Sequence, residues 1–149
     1  LTAGTLTVSN SAVFKTTFNK FTWTNAMVAA LGGVTAGDIT VCTLPAKTVV
    51  VNAYMIVDTA AGTLTSLTGA VGRTGAAYID YIVASDLKAA ANTVYGNASG
   101  ERGTNLTGYD LPSYTGTTDV KLHLISGVEN LSTVTTCTGT IVLETAILP

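Results

Sequence analysis

LPAKTVVVNAYMIVDT, residues 44–59, is the stretch whose reading decides the architecture. Leu44-Pro45 ends one extended run, because proline brings no N–H to a ladder and belongs at strand ends. Ala46-Lys47 turns the corner. From there Val49, Val51, Ala53, Met55 and Val57 share one parity, and Val50, Asn52, Tyr54, Ile56 and Asp58 share the other. The first set is wholly apolar and the second is mixed. That pattern predicts a long strand buried on one face and partly covered on the other.

Working outward, more strands are predicted on both sides. Upstream, DITVCTL (38–44) reads as a strand leaving the turn Thr35-Ala36-Gly37-Asp38. TNAMVAAL (24–31) reads as a short helix, with Thr24 as N-cap and Gly32-Gly33 as the stop. VFKTTFNKFTW (13–23) is extended, with Phe14 and Phe18 on one face and Val13, Phe21 and Trp23 on the other. Residues 1–12 read as an N-terminal arm in which Leu6 and Val8 share one parity of a β-prone run, leaving 13–149 as a single domain. Downstream, residues 63–72 form a strand interrupted by glycines. Tyr78, Ile79, Ile82 and Val83 are spaced as one face of a helix, a strand being the second reading. Residues 86–91 read as a further helical turn with Ser85 as a cap. Residues 92–118 form a long polar loop carrying Tyr95, Tyr109 and Tyr114, the kind of loop that usually serves as an interaction surface. DVKLHLIS (119–126) alternates cleanly, and residues 133–147 close the chain as a last strand. About eight strands with two short helical pieces predict an all-β, two-sheet jelly-roll-like sandwich with one or two short helices in its connections.

Composition agrees with that reading. The chain has 149 residues, the size of one domain, and threonine occurs 28 times. Threonine is β-branched and packs well on a pleated surface. Charged residues are only 11%, against the usual quarter, while apolar residues are 47%. So little charge predicts a surface partly covered by other subunits. A net charge of -2, with the seven basic residues scattered, argues against nucleic-acid binding. No apolar run approaches the roughly 18 residues of a membrane span.

Residues with chemistry are sparse. His123 is the only histidine, so any Ser-His-Asp or Cys-His arrangement must use it, and alternation puts it on the polar face of a strand. One His and two distant Cys make no metal-ligand spacing, and Asp58, Asp80 and Asp86 lack the spacing of a calcium loop. Gly72-Arg73-Thr74-Gly75 is too short for a phosphate-binding loop. Cys42 and Cys137 both fall in predicted strands. A closed sandwich can bring early and late strands together, which would allow a disulfide, but with no secretory context the reading favours two buried free thiols. No enzyme activity, cofactor or metal is expected.

One resemblance extends this reading. ITVCTLPAKTVVVNAYMIVDTAAGTLTSLTGAVG (39–72), the helical turn near TNAMVAAL, the segment Tyr78 to Ala84 with Asp86-Leu87-Lys88-Ala89, and the closing GTIVLETAIL (139–148) together resemble the jelly-roll head decoration (cement) proteins of tailed bacteriophages. The resemblance spans about residues 14–149. It implies a structural virion protein on the capsid surface, partnered by the major capsid protein and by itself, most simply as a homotrimer. The cysteine pair departs from the pattern. A rival from another class is a carbohydrate-recognition module, or a tail or fibre component, that uses Tyr95, Tyr109 and Tyr114 as stacking platforms. Residues 1–10, with Leu6 and Val8, are expected to grip a neighbour by adding a strand to a sheet edge.

Overall fold

The computed structural model describes residues 16–73, 78–107 and 116–148. Eight strands run in the order β1 Thr16–Trp23, β2 Ala36–Leu44, β3 Thr48–Thr59, β4 Leu67–Arg73, β5 Ile82–Asp86, β6 Thr93–Tyr95, β7 Thr118–Ser126 and β8 Thr138–Ile147. Helix α1 (Asn25–Ala29) follows β1, and α2 (Thr104–Thr107) precedes β7. The strands form two antiparallel sheets, β1-β8-β3-β6 and β2-β7-β4-β5.

The pairing has a simple rule. β1 pairs β8, β2 pairs β7, β3 pairs β6 and β4 pairs β5, so the chain is one long hairpin with its turn between β4 and β5. Rolling that hairpin on itself brings β3 beside β8 and β4 beside β7, which closes the two sheets. This is the jelly-roll wrap, and it confirms the fold class expected from the sequence.

The core lies between the sheets. Val120, Leu122 and Leu124 of β7 are fully buried in one core with Ile141 and Leu143 of β8 and Ala53, Met55 and Val57 of β3, which neighbour each other in the opposite sheet. The alternation expected for β7 holds along its length. In β3 it holds only from Ala53 onward. Val51 is an extra residue with no partner in β8, because Val50 pairs Thr145 and Asn52 pairs Glu144. This bulge moves the core-facing phase from Thr48 and Val50 to Ala53, Met55 and Val57. The sequence pattern placed Val51 on the wholly apolar face, and the bulge leaves it half-buried.

Trp23 anchors the end of β1. It is fully buried, and its indole N–H donates to the Cys137 sulfur at 3.4 Å. Gly139, its partner in β8, lies flat beneath the ring, where a β-carbon would overlap the indole. Thr24 then caps α1 as expected, its hydroxyl accepting from the Met27 N–H.

Three expectations change. Residues 78–81 form a turn, not a helical face, and Ile82 and Val83 enter strand β5, the second reading of that segment. Residues 86–91 are not a helical turn either. The Leu87 N–H donates to Leu67 O and the Leu87 carbonyl accepts from the Ala61 N–H, so its backbone groups are spent on neighbouring segments. Asp86 caps the turn, its carboxylate accepting from the Lys88 N–H. The last strand starts at Thr138, because Leu131–Thr133 form a 3₁₀ turn under the sandwich. Within the long polar region 92–118, β6, a 3₁₀ turn at Ser99–Glu101 and α2 occupy much of the described part.

Candidate interaction surfaces

The outer face of the β2-β7-β4-β5 sheet carries a cluster of polar side chains. Asp38 and His123 are cross-strand partners on β2 and β7, and Asp38 Oδ1 lies 2.6 Å from His123 Nδ1. The turn after β4 folds back over this face. The Tyr78 ring stacks on His123, with centroids 4.1 Å apart and planes 6° from parallel, and its hydroxyl donates to Asp38 Oδ2 at 2.8 Å. Gly72 makes room for this fold-back, because a β-carbon there would strike the Tyr78 backbone. Tyr78 adopts φ 57°, the left-handed region that a bulky residue takes only under tertiary constraint. One register step away, Lys121 donates to Thr40 and Asp119, and Thr43 donates to Asp119 at 2.6 Å. The Thr43 hydroxyl, then Lys121, hold the Asp119 carboxyl below its usual range.

Alternation places His123 on the polar face, as read from the sequence. What the sequence did not show is its company, since Asp38 and Tyr78 are 85 and 45 positions away. Among the described residues no hydrogen bond joins His123 to a Ser, Thr or Cys that it could activate. The group reads as a clamp that pins the β4–β5 turn to the sheet.

Asp80 is a second junction. It is 1% exposed and accepts from the Arg73 N–H at 2.7 Å, the Arg73 guanidinium at 2.8 Å and the Asn105 amide at 3.2 Å. Backbone bonds from Gly103, Thr104 and Asn105 to Tyr81, Ile79 and Asp80 run alongside. So the two connections over this end of the sandwich are tied to each other and to β4. The remaining carboxylates once considered for calcium are occupied locally, Asp58 by Thr140 and Asp86 by Lys88. Among the described residues no group of three or more metal-ligating side chains occurs. No helix among them is long and apolar enough to cross a membrane.

The outer face of the other sheet is less polar. Phe18 of β1 is 66% exposed and pairs with Glu144, beside a row formed by Lys20, Val142 and Tyr54. At one end of the sandwich, the outermost strands β1 and β2 border an open depression of about 160 Å³. Thr17, Asn19, Cys42, Thr48, Thr145 and Ile147 are among its lining residues, and none of the lining residues is charged.

Of the residues singled out from sequence, Tyr95 lies in β6, where it pairs with Met55 and packs against the core. Its hydroxyl donates to Asp86 O at 2.7 Å, and burial, with Asp86 and Glu101 nearby, pushes its pKa up. Tyr109, Tyr114, Leu6 and Val8 lie outside the described residues. Cys42 and Cys137 are free thiols, one half-buried at the depression and one buried beside Trp23. Burial pushes both thiols up, with Asp119 adding to the effect at Cys42 and the Trp23 N–H opposing it at Cys137.

No protein-family model matches the chain, and no curated protein matches it. Among solved structures, it is similar to a chain of the acid-stable capsid of Helicobacter pylori bacteriophage KHP30, with a TM-score of 0.48 at 13% identity over 91% of this chain and 90% of that one. It is also similar to a chain of the cyanophage Pam1 capsid asymmetric unit, with a TM-score of 0.55 at 21% identity over 98% of this chain and 94% of that one, so two whole chains of nearly equal length share one fold.

Proposed function

We propose that the protein is a structural component of a phage virion, a decoration or cement protein bound on the capsid surface to the major capsid protein and to copies of itself, as a trimer. The observation that carries this reading is the whole-chain likeness to a chain of a phage capsid asymmetric unit. Two features of the chain support it. Its polar clusters are used to pin connections down, which suits a rigid building block. Its 11% charge content suits a surface largely covered in an assembly.

The test is co-sedimentation of the purified chain with empty expanded capsids of its own virus. Saturable binding at a fixed ratio to capsid subunits, with capsids that resist heat better when loaded, is the expected result. Absence of binding, together with selective glycan binding lost in Tyr109→Ala or Tyr114→Ala, would move the protein to the carbohydrate-recognition class. Robust turnover abolished by His123→Ala would move it to the enzymes.

A further inference from the structure

The depression between β1 and β2 has the features of an unfilled acceptor site. Both strands are outermost in their sheets among the described residues, so each presents one edge with no partner strand. The inward-facing residues of β1, Thr17 and Asn19, form part of the wall. Asn19 donates to the Thr145 hydroxyl at 2.9 Å, and that hydroxyl donates to Thr17 O at 3.2 Å. Thr48 is the exception. It is 1% exposed, it lines the depression, and its hydroxyl has no hydrogen-bond partner. Buried polar groups left unpaired are rare. The volume, about 160 Å³, is close to the roughly 150 Å³ that holds a benzene-sized group. With no charge in the lining, the occupant is uncharged.

We infer that this depression accepts residues 1–10 of a second copy, laid as an added strand along the free edge of β1 with Leu6 or Val8 seated in it. The inference rests on the reading of the protein as a self-associating structural subunit, and names the surface through which copies join. The segment LTAGTLTVSN carries no charged residue, which matches the uncharged lining. Its ten residues are enough to run beside the eight of β1. Leu6 and Val8 share a parity, so a strand that turns one of them inward turns both, and Asn10 on the same parity brings a hydrogen-bonding side chain to that face. Added edge strands gain affinity from main-chain bonds and specificity from pockets for alternate side chains. The chain enters β1 at Thr16, next to Thr17 in the wall. Exchange passed from copy to copy around a trimer closes as a ring and does not propagate as a fibre.

Cys42 makes this testable in the full-length chain, because it lines the depression while Cys137 is buried at 1% exposure. Leu6→Cys and Val8→Cys variants are oxidised mildly and run on non-reducing gels. The expected result is a reducible interchain cross-link in at least one variant, absent from the parent chain and from the same variant carrying Cys42→Ser. No cross-link in either variant, a bond formed within one chain only, or a cross-link that survives Cys42→Ser would each overturn the inference. Thr17→Arg places a charge in the wall. Light scattering should then give the mass of a monomer with an unchanged circular dichroism spectrum, and an unchanged oligomer mass would count against the site. Capsid co-sedimentation of the cross-linked species separates the two readings. A chain that cross-links but never binds capsids keeps this acceptor site and loses the virion role.

Discussion

A carboxylate as buried as that of Asp80 needs charged and hydrogen-bonding groups to replace the water it has lost. Asp80 has Arg73, the Arg73 N–H and Asn105 around it, and through them it joins β4, the turn at 78–81 and the 103–105 segment. Removing the Asp80 carboxylate takes the acceptor away from all three donors. Asp80→Ala is therefore expected to cost about 3–5 kcal/mol, measured as a lower urea midpoint. A loss under about 1 kcal/mol would mean that the junction is not stabilising. At the surface, Glu129 ties the loop before β8 to the loop before β4, accepting from both the hydroxyl and the N–H of Thr65. Those bonds hold its carboxyl below the usual range. A depressed folded value contributes stability that is present above the ordinary glutamate value, near 4.3, and is lost as pH falls through the folded one. Asp119 acts in the same direction. The melting temperature is expected to fall on acidification below about pH 4.3, and less steeply in Glu129→Gln. Identical pH slopes for the two chains would show that the Thr65 contacts do not persist in solution.

At the level of elements, β3 carries the most information. Its bulge at Val51 lets a twelve-residue strand serve the core with even-numbered residues at its start and odd-numbered ones afterwards. A one-residue slip in a strand moves every side chain beyond it to the other face. Deleting Val51 therefore forces either Val50 or the set Ala53, Met55 and Val57 out of the core. The shortened chain is expected to show no cooperative unfolding transition, whereas Val51→Ala, which keeps the residue count, should unfold cooperatively. Cooperative unfolding of the deletion chain with near-native stability would refute this account of the bulge. The helical reading of 78–83 failed for a related reason. Tyr78, Ile79, Ile82 and Val83 do recur at helical spacing, but Ile82 and Val83 are β-branched and a strand edge at β4 was available to take them.

For the molecule as a whole, the rolled hairpin makes nearly every sheet contact distant in sequence, with Thr16 paired to Ala146 at the extreme. Loop-closure entropy must be met before such pairings stabilise anything, so refolding is expected in the range of milliseconds to seconds. Stopped-flow fluorescence of Trp23, buried at the β1–β8 pairing, reads that step directly, and recovery faster than about 0.1 ms would contradict it. The sequence by itself determined the class and much of the strand content. Alternation in 119–126, the proline corner at Pro45 and the capped helix at Thr24 are local signals, produced by side-chain parity, a missing N–H and an N-cap hydroxyl, and local signals survive in a linear reading. Threonine content and low charge likewise bound the composition of the surface. Tertiary structure alone decided the rest. The bulge at Val51 is visible only against β8, the fate of Leu87 only against Leu67 and Ala61, and the clamp on His123 only once residues 38, 78 and 123 lie on one face. The unpaired Thr48 hydroxyl belongs to the same group. Each of these depends on which backbone and side-chain partners are already taken, and that is settled by the pairing of strands far apart in the chain.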